Sequence, residues 1–259
     1  MTLDERRGRL RSFLKDDVRK KFDFSRTDQN RGVPPPPIEK PYGNDAKLLD
    51  LPAPGTWQGF PGMELERAIG NRRSRREYSD EELSLDELSF LLWCTQGTRG
   101  RASGGRVFRT VPSAGNRHAL ETYLAILKVE GVEEGIYRYL PLTHQLLLEF
   151  LDVGLGEKVS HAAWRQPYPA SAAVTFIWTA VPYRMEWRYG DASYKVIALD
   201  AGHVCQNLYL ACEAIGAGTC AIAAYDQEAM DRLLRLDGEE EFTVYLAPVG
   251  KVEHREPWI

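Results

Sequence analysis

Apolar positions near the N-terminus recur close to helical spacing. Leu10, Phe13, Leu14, Val18 and Phe22 predict a charged amphipathic helix over residues 4–22. The pattern then breaks off. Between Pro34 and Pro61 lie eight of the fifteen prolines, including the run Pro34-Pro35-Pro36-Pro37. Proline fixes φ and lacks a backbone donor, so this stretch is predicted to be extended rather than helical or a central strand. Leu48, Leu49, Leu51, Trp57 and Phe60 give it apolar surface to bury, as an arm laid over a body. Residues 1–62 read as that N-terminal helix and arm, and residues 63–259 as the folded domain.

Inside the domain, Leu65, Ala68 and Ile69 predict a short helix closed by Gly70 and Asn71, residues suited to a helix C-terminus. Ser84 with Glu87 forms a capping box; Leu88, Leu91, Leu92 and Thr95 follow on one face, and Gly97 ends the helix. From Glu121 the period becomes that of a strand, over residues 122–129. Residues 136–140 and 145–150 read as a hairpin around Pro141. Residues 172–181 are apolar on both faces and rich in β-branched and aromatic side chains, the pattern of a strand central in a sheet. A helix is expected over residues 201–215, capped by Asp200 and stopped by Gly216. Apolar side chains surround it, so it must be buried inside the subunit or between subunits. A short helix after Asp226 and a last strand over residues 242–249 complete an α+β order, helices around a mixed or antiparallel sheet.

Composition narrows the partners. A formal charge of −4 provides no global field for nucleic acid or an anionic membrane, so an anionic ligand needs a local cation cluster. The charged N-terminus leads into no long apolar stretch, which argues against a secretory signal. The longest near-continuous apolar run, residues 172–181, is about half of what a helix needs to cross a bilayer. Cys94, Cys205, Cys212 and Cys220 form no CxxC pair and read as buried free thiols of a cytoplasmic protein. The histidines show neither HExxH nor zinc spacing, so no metal is expected. Gly216-Ala217-Gly218-Thr219-Cys220-Ala221 fits the dinucleotide pattern G-x-G-x-x-A, which works where a strand turns into a helix. Here the glycines follow a helix, so a tight turn is expected and no Rossmann domain.

Four segments carry candidate chemistry. Arg72-Arg73-Ser74-Arg75-Arg76 is the densest cation cluster. Alone it reads as a solvated basic turn, a nucleic-acid patch or a phosphate site, the last because guanidinium forks and a hydroxyl suit phosphate oxygens. The loop Pro112-Ser113-Ala114-Gly115-Asn116 combines small residues with hydrogen-bonding side chains. Ile222-Ala223-Ala224-Tyr225-Asp226 has side chains small enough to expose backbone donors to a flat ring, and Gly250-Lys251 ends the last strand in a cation.

In this order the four segments, within residues 63–251, resemble the FMN-dependent nitroreductase superfamily. The resemblance implies a nitroreductase-like fold and a homodimer with the flavin site at the subunit interface. Arg72, Arg73, Ser74 and Arg76 match the family's R-R-S-x-R segment on the FMN phosphate. Pro112, Ser113, Ala114, Gly115 and Asn116 match a loop that family members often contribute across the dimer. Ile222, Ala223 and Ala224 match the turn that reaches flavin N5. Gly250 and Lys251, with Arg255 second to Lys251, match the terminal phosphate contact.

Two features resemble the SagB-type branch, which includes dehydrogenases that oxidise peptide thiazolines and oxazolines. They are the form Pro112-Ser113-Ala114-Gly115, and Leu199-Asp200-Ala201-Gly202-His203 with Gln206-Asn207-Leu208. Where those enzymes carry Lys-Tyr before the long helix, this chain carries Arg188-Tyr189, followed by Tyr194-Lys195. Arginine does not exchange its proton near neutrality, which leaves Tyr189 as the candidate acid or base. Three readings follow: a flavin oxidoreductase using NAD(P)H or a similar donor and an electron-poor organic acceptor, a tailoring dehydrogenase acting on peptide azolines, and a non-catalytic flavin- or phosphate-binding protein.

Overall fold

The computed structural model describes residues 2–60, 62–101 and 106–253. Its N-terminal part starts with two short helices, α1 (Leu3–Ser12) and α2 (Val18–Lys21). The single helix expected over residues 4–22 is thus two, and Leu10, Phe13 and Leu14 remain exposed. Asp16 and Asp17 supply the physical reason, since aspartate favours a helix start over a helix interior. The proline-rich arm then runs extended and adds β1 (Leu48–Asp50) to one edge of the main sheet.

Buried charges bind the arm to the body. Arg109 donates to Ile38 O (3.0 Å), and the Leu142 N–H donates to Glu39 (3.1 Å). Lys40 N–H reaches Glu121 (2.8 Å), while its ammonium meets Glu241 (2.5 Å). Arg138 donates to Lys40 O (2.7 Å).

The domain continues with α3 (Leu65–Asn71), α4 (Leu85–Gln96), and the small β2 (Thr98–Arg101) and β3 (Val107–Arg109) ribbon. Then come β4 (Leu120–Ile126), β5 (Gly135–Leu140), β6 (Gln145–Leu151), α5 (Leu155–Ala162), α6 (Tyr168–Ser171) and β7 (Val174–Ala180). The chain proceeds through α7 (Tyr183–Tyr189), α8 (Ser193–Ala214), β8 (Ala217–Thr219), α9 (Gln227–Leu234) and β9 (Phe242–Lys251). The main sheet has the order β1-β6-β5-β4-β7-β9-β8, with antiparallel neighbours throughout. The expected α+β architecture is therefore realised in its antiparallel form.

Strand alternation decides which helices lie where. Leu120, Leu124 and Ile126 of β4 face the core that holds α4 and α8, while Tyr123 and Ala125 face α5 and α9. With both faces covered, all seven residues of β4 and of β7 are buried. The capping box at Ser84 and Glu87 forms as expected, and Leu88, Leu91, Leu92 and Thr95 turn inward. The strand predicted over residues 122–129 lies earlier and stops sooner, because Leu127 and Lys128 leave β7 and both donate to Ala173 O.

The helix expected to start after Asp200 begins two turns earlier, at Ser193. Asp200 is not a cap; it is buried in the helix and its carboxylate accepts a loop N–H. Gly216 follows the helix and leads into β8, the reverse of the order a dinucleotide turn requires. The four cysteines are free. No helix among the described residues is long and apolar enough to cross a membrane.

Candidate active site

Residues 72–78 run extended beside β8. Arg75 N–H donates to Thr219 O (2.9 Å), and Ser74 forms a parallel bridge with Thr219. An extended chain sends alternate side chains to opposite sides. Arg72, Ser74 and Arg76 share one of them. Arg72 lies 5.2 Å from the centre of the Tyr209 ring, Ser74 Oγ shares a 3.0 Å hydrogen bond with Tyr209 Oη, and Arg76 lies 5.9 Å from the Tyr168 ring. Arg75 covers the other side, where a Cβ on Gly218 would come within 2.5 Å of its Cγ. Arg73 is half-buried in the same segment. Among the described residues no carboxylate pairs with Arg72, Arg73, Arg75 or Arg76.

Tyr209 also joins this segment to the turn after β8, since the Ala221 N–H donates to its Oη (2.9 Å). Ile222 is pinned to Leu246 of β9 through both its N–H (2.8 Å) and its carbonyl (3.1 Å). Ala223 and Ala224 then bulge out exposed, and among the described residues nothing accepts from their N–H groups. A groove of about 520 Å³ opens beside them, lined by Ala223, Tyr225 and Tyr245 and by Ile197, Ala201 and Gly202 of α8. Burial pushes the Tyr245 hydroxyl up to about 12, so this wall carries no charge near neutrality.

Gly250 leaves room for the Tyr78 ring, which a Cβ there would meet at 2.7 Å. Lys251 lies on β9 opposite β8, yet its ammonium is held by Glu87 and by Ile215 O (3.0 Å). It is tied to the end of α8 and is not grouped with Arg72, Ser74 and Arg76. Arg255 lies outside the described residues.

The loop after the exposed Pro112 is built by its own polar groups. Ser113 Oγ accepts from His118 N–H (2.9 Å), and Ala114 N–H meets the Asp200 carboxylate at 3.2 Å. Burial raises the pKa of that carboxyl, opposed by its hydrogen bonds from Ser113 and Ala114. Gly115 takes φ +59°, and a Cβ there would come within 2.6 Å of both Arg188 Nε and Tyr189 Oη. Asn116 Oδ1 lies 2.8 Å from His118 Nε2. The structure thus brings Tyr189 to this loop in the same subunit.

The sites form two groups divided by α8. Asp200, which holds the loop, and Tyr209, which joins the arginine segment to the Ala221 turn, are separated by nine residues, about two and a half turns. They therefore face opposite ways, about 13 Å apart along the axis. An exposed stripe of Leu199, Gly202, His203 and Gln206 runs between them, with Leu199 53% exposed. The rest of the helix is better covered by its own subunit than the sequence implied, since Leu208, Ala211 and Cys212 are buried. Tyr209 and Asp200 were not foreseen as site residues. The signal available was a lone hydroxyl and a lone carboxylate at inward-facing helical positions.

Residues 69–251 match the Nitroreductase family. MJ1384 of Methanocaldococcus jannaschii, which carries a nitroreductase name, is 35% identical over 73% of this chain and 91% of its own length. The trifolitoxin-processing protein TfxB of Rhizobium leguminosarum is 30% identical over 60% of this chain, which spans only 44% of TfxB. A solved structure from Anabaena variabilis, also named for nitroreductase, superposes with TM-score 0.63 at 26% identity, over 73% of this chain and 38% of that one. The chain belongs to the Nitroreductase family, and so to the oxidoreductases. The membership and the fold expected from the four segments are both met.

Proposed function

We propose that the chain is an FMN-dependent oxidoreductase, active in the cytoplasm as a homodimer, that passes electrons from NAD(P)H to an electron-poor organic acceptor. One observation carries this reading. Among the described residues the Arg72 and Arg76 guanidiniums meet no carboxylate and the Ala223 and Ala224 N–H groups meet no acceptor, and Tyr209 joins the arginine segment to the Ala221 turn beside an apolar groove. That donor set suits a phosphorylated flat ring system. Bound there, FMN would supply two-electron hydride chemistry.

The chain's own groups would do the rest. Arg72, Ser74 and Arg76 would hold the phosphate with charge-assisted bonds, while Arg73 adds to the local positive field. The Ala223 and Ala224 N–H groups would donate to the ring system and favour negative charge on it. Ile222 keeps that turn rigid through its two bonds to Leu246. The groove wall of Ile197, Ala201 and Tyr245 excludes water. Because α8 separates the loop at residues 112–116 from this groove, a second copy packed across the Leu199 stripe would bring its own loop and its Tyr189 hydroxyl to the ring.

The likeness to TfxB favours a second reading, a tailoring dehydrogenase acting on a peptide. Heating the pure protein and identifying the released chromophore tests the cofactor, and anaerobic NADPH tests the donor. Release of FMN and bleaching by NADPH are expected. FMN without bleaching by any nicotinamide favours the peptide reading or a non-catalytic role, and release of no flavin overturns both enzyme readings.

A further inference from the structure

Beside the loop at Gly115 the chain gathers positive charge that no carboxylate among the described residues answers. Arg117 is only 5% exposed; its Nε donates to Arg184 O (2.9 Å) and its guanidinium stacks 4.6 Å from the Trp187 ring. Among the described residues its buried Nη2 finds no partner. Arg188 donates through Nη1 to Gln29 Oε1 (3.0 Å), and its buried Nε likewise finds no partner among the described residues. The neighbouring ions are already matched: Arg184 pairs with Glu121 (2.5 Å), and Arg19, which lies over the Tyr189 ring, pairs with Asp16 (2.9 Å). The Asp200 carboxylate accepts from Ala114 N–H. Among the described residues no carboxylate pairs with Arg117 or Arg188. Burial, then the Arg188 and Arg184 charges, hold the Arg117 guanidinium below its usual range, as expected of an uncompensated cation.

We propose that Arg117 and Arg188, together with Tyr189 Oη, form a subsite for an oxyanion, a carboxylate or a phosphate, carried by the substrate. Two orphaned N–H donors on adjacent guanidiniums are the complement of such a group, because a buried donor left without an acceptor is destabilising. A Cβ on Gly115 would stand 2.6 Å from both Arg188 Nε and Tyr189 Oη, so only glycine lets the loop lie this close over the two groups, and an oxyanion would enter by displacing that loop backbone. Residues 28–33 complete the frame. Gln29 N–H bonds Trp187 O (2.9 Å), Trp187 Nε1 donates to Val33 O (2.9 Å), and Tyr183 Oη donates to Asp28 (2.9 Å). These residues lie outside the segment that matches the family, so the subsite is assembled partly from this chain's own N-terminal extension. The inference rests on the oxidoreductase reading, in which this loop meets the groove of a second copy and so sets the charge of the acceptor.

The test is calorimetric titration of the full-length protein with benzoate, phenyl phosphate and the neutral isostere benzamide, with flavin content and melting temperature recorded on each sample. At least one anion is expected to bind about tenfold or more tightly than benzamide; which anion does so separates carboxylate from phosphate. Arg188→Met should abolish the preference, Arg188→Lys should keep part of it, and Gln29→Ala should weaken it without moving the melting temperature. Equal binding of all three compounds by wild type, or an unchanged preference in Arg188→Met, overturns the subsite. Flavin content separates the two readings: a protein with full flavin but no anion preference loses only the subsite, whereas an absent flavin removes the oxidoreductase reading.

Discussion

Asp200 and Tyr209 stand on opposite faces of one helix, and each holds a different half of the candidate site. Asp200 accepts the Ala114 N–H at 3.2 Å, and Tyr209 Oη accepts the Ala221 N–H at 2.9 Å. A single subunit cannot bring those halves together without crossing α8. The two-fold arrangement proposed here follows from that separation, because an isologous contact places each half against its complement on the other copy.

The exposed stripe on α8 is therefore the place to test the assembly. Leu199→Glu puts a charge where the contact needs an apolar side chain, at a position whose exposure leaves the monomer fold untouched. Light scattering should report a shift from dimer towards monomer, together with reduced flavin content. A dimer that persists with full flavin would place the interface elsewhere.

Tyr209→Phe deletes one hydroxyl that serves both Ser74 Oγ and the Ala221 N–H. Two hydrogen bonds vanish, with an expected loss of about 1–3 kcal/mol in unfolding free energy. Because the same hydroxyl sets the arginine segment against the turn, FMN affinity should fall about tenfold as well. Denaturant melts and a fluorescence titration read the two effects separately.

His118 makes the fold sensitive to acid. Burial first, then the Arg109 charge, holds its folded pKa at about 3, against 6.5 for an ordinary histidine. Below that ordinary value the unfolded chain binds a proton that the folded chain refuses. Stability contributed by the neutral ring is full above pH 6.5 and declines towards pH 3, with a limiting slope of about 1.4 kcal/mol per pH unit. Urea melts from pH 7 to pH 4 should show this slope reduced in His118→Gln. Identical slopes in both proteins would contradict the assignment.

Lys40 fastens the arm by meeting Glu241, whose side chain is 7% exposed. Removing one partner of such a pair strands a buried charge, so Lys40→Met should cost about 3 kcal/mol. Adding Glu241→Gln should recover much of that loss. Thermal melts of the two single variants and the double variant complete the cycle.

The sequence made the domain legible wherever local pattern and tertiary context agree. The capping box at Ser84 and Glu87 and the short helix after Asp226 formed where expected, and the two-sided strand formed at Val174–Ala180 inside the expected residues 172–181. It misled where a polar residue served a partner distant in sequence. Asp200 has the chemistry of a cap, but its acceptor role is fixed by Ala114, a neighbour only in space. Apolar spacing over residues 4–22 suggested an amphipathic helix with one apolar face, yet no residue of α1 is buried. At the site, the arginine segment and the Ala223 turn were visible as motifs because their chemistry is carried by consecutive residues. Tyr209 and the Lys251–Glu87 pair depend on contacts between separate elements, which no run of consecutive residues specifies.

The proposed seat of the flavin phosphate, Arg72, Ser74 and Arg76, is probed by fluorescence titration of flavin-stripped protein with FMN and with riboflavin, which differ by that phosphate alone. FMN should bind at least about a hundredfold more tightly than riboflavin, and the double variant Arg72→Ala/Arg76→Ala should erase the difference while retaining the native circular dichroism. Equal affinity for the two flavins in the wild-type protein, or an undiminished preference for FMN in the double variant, would contradict it.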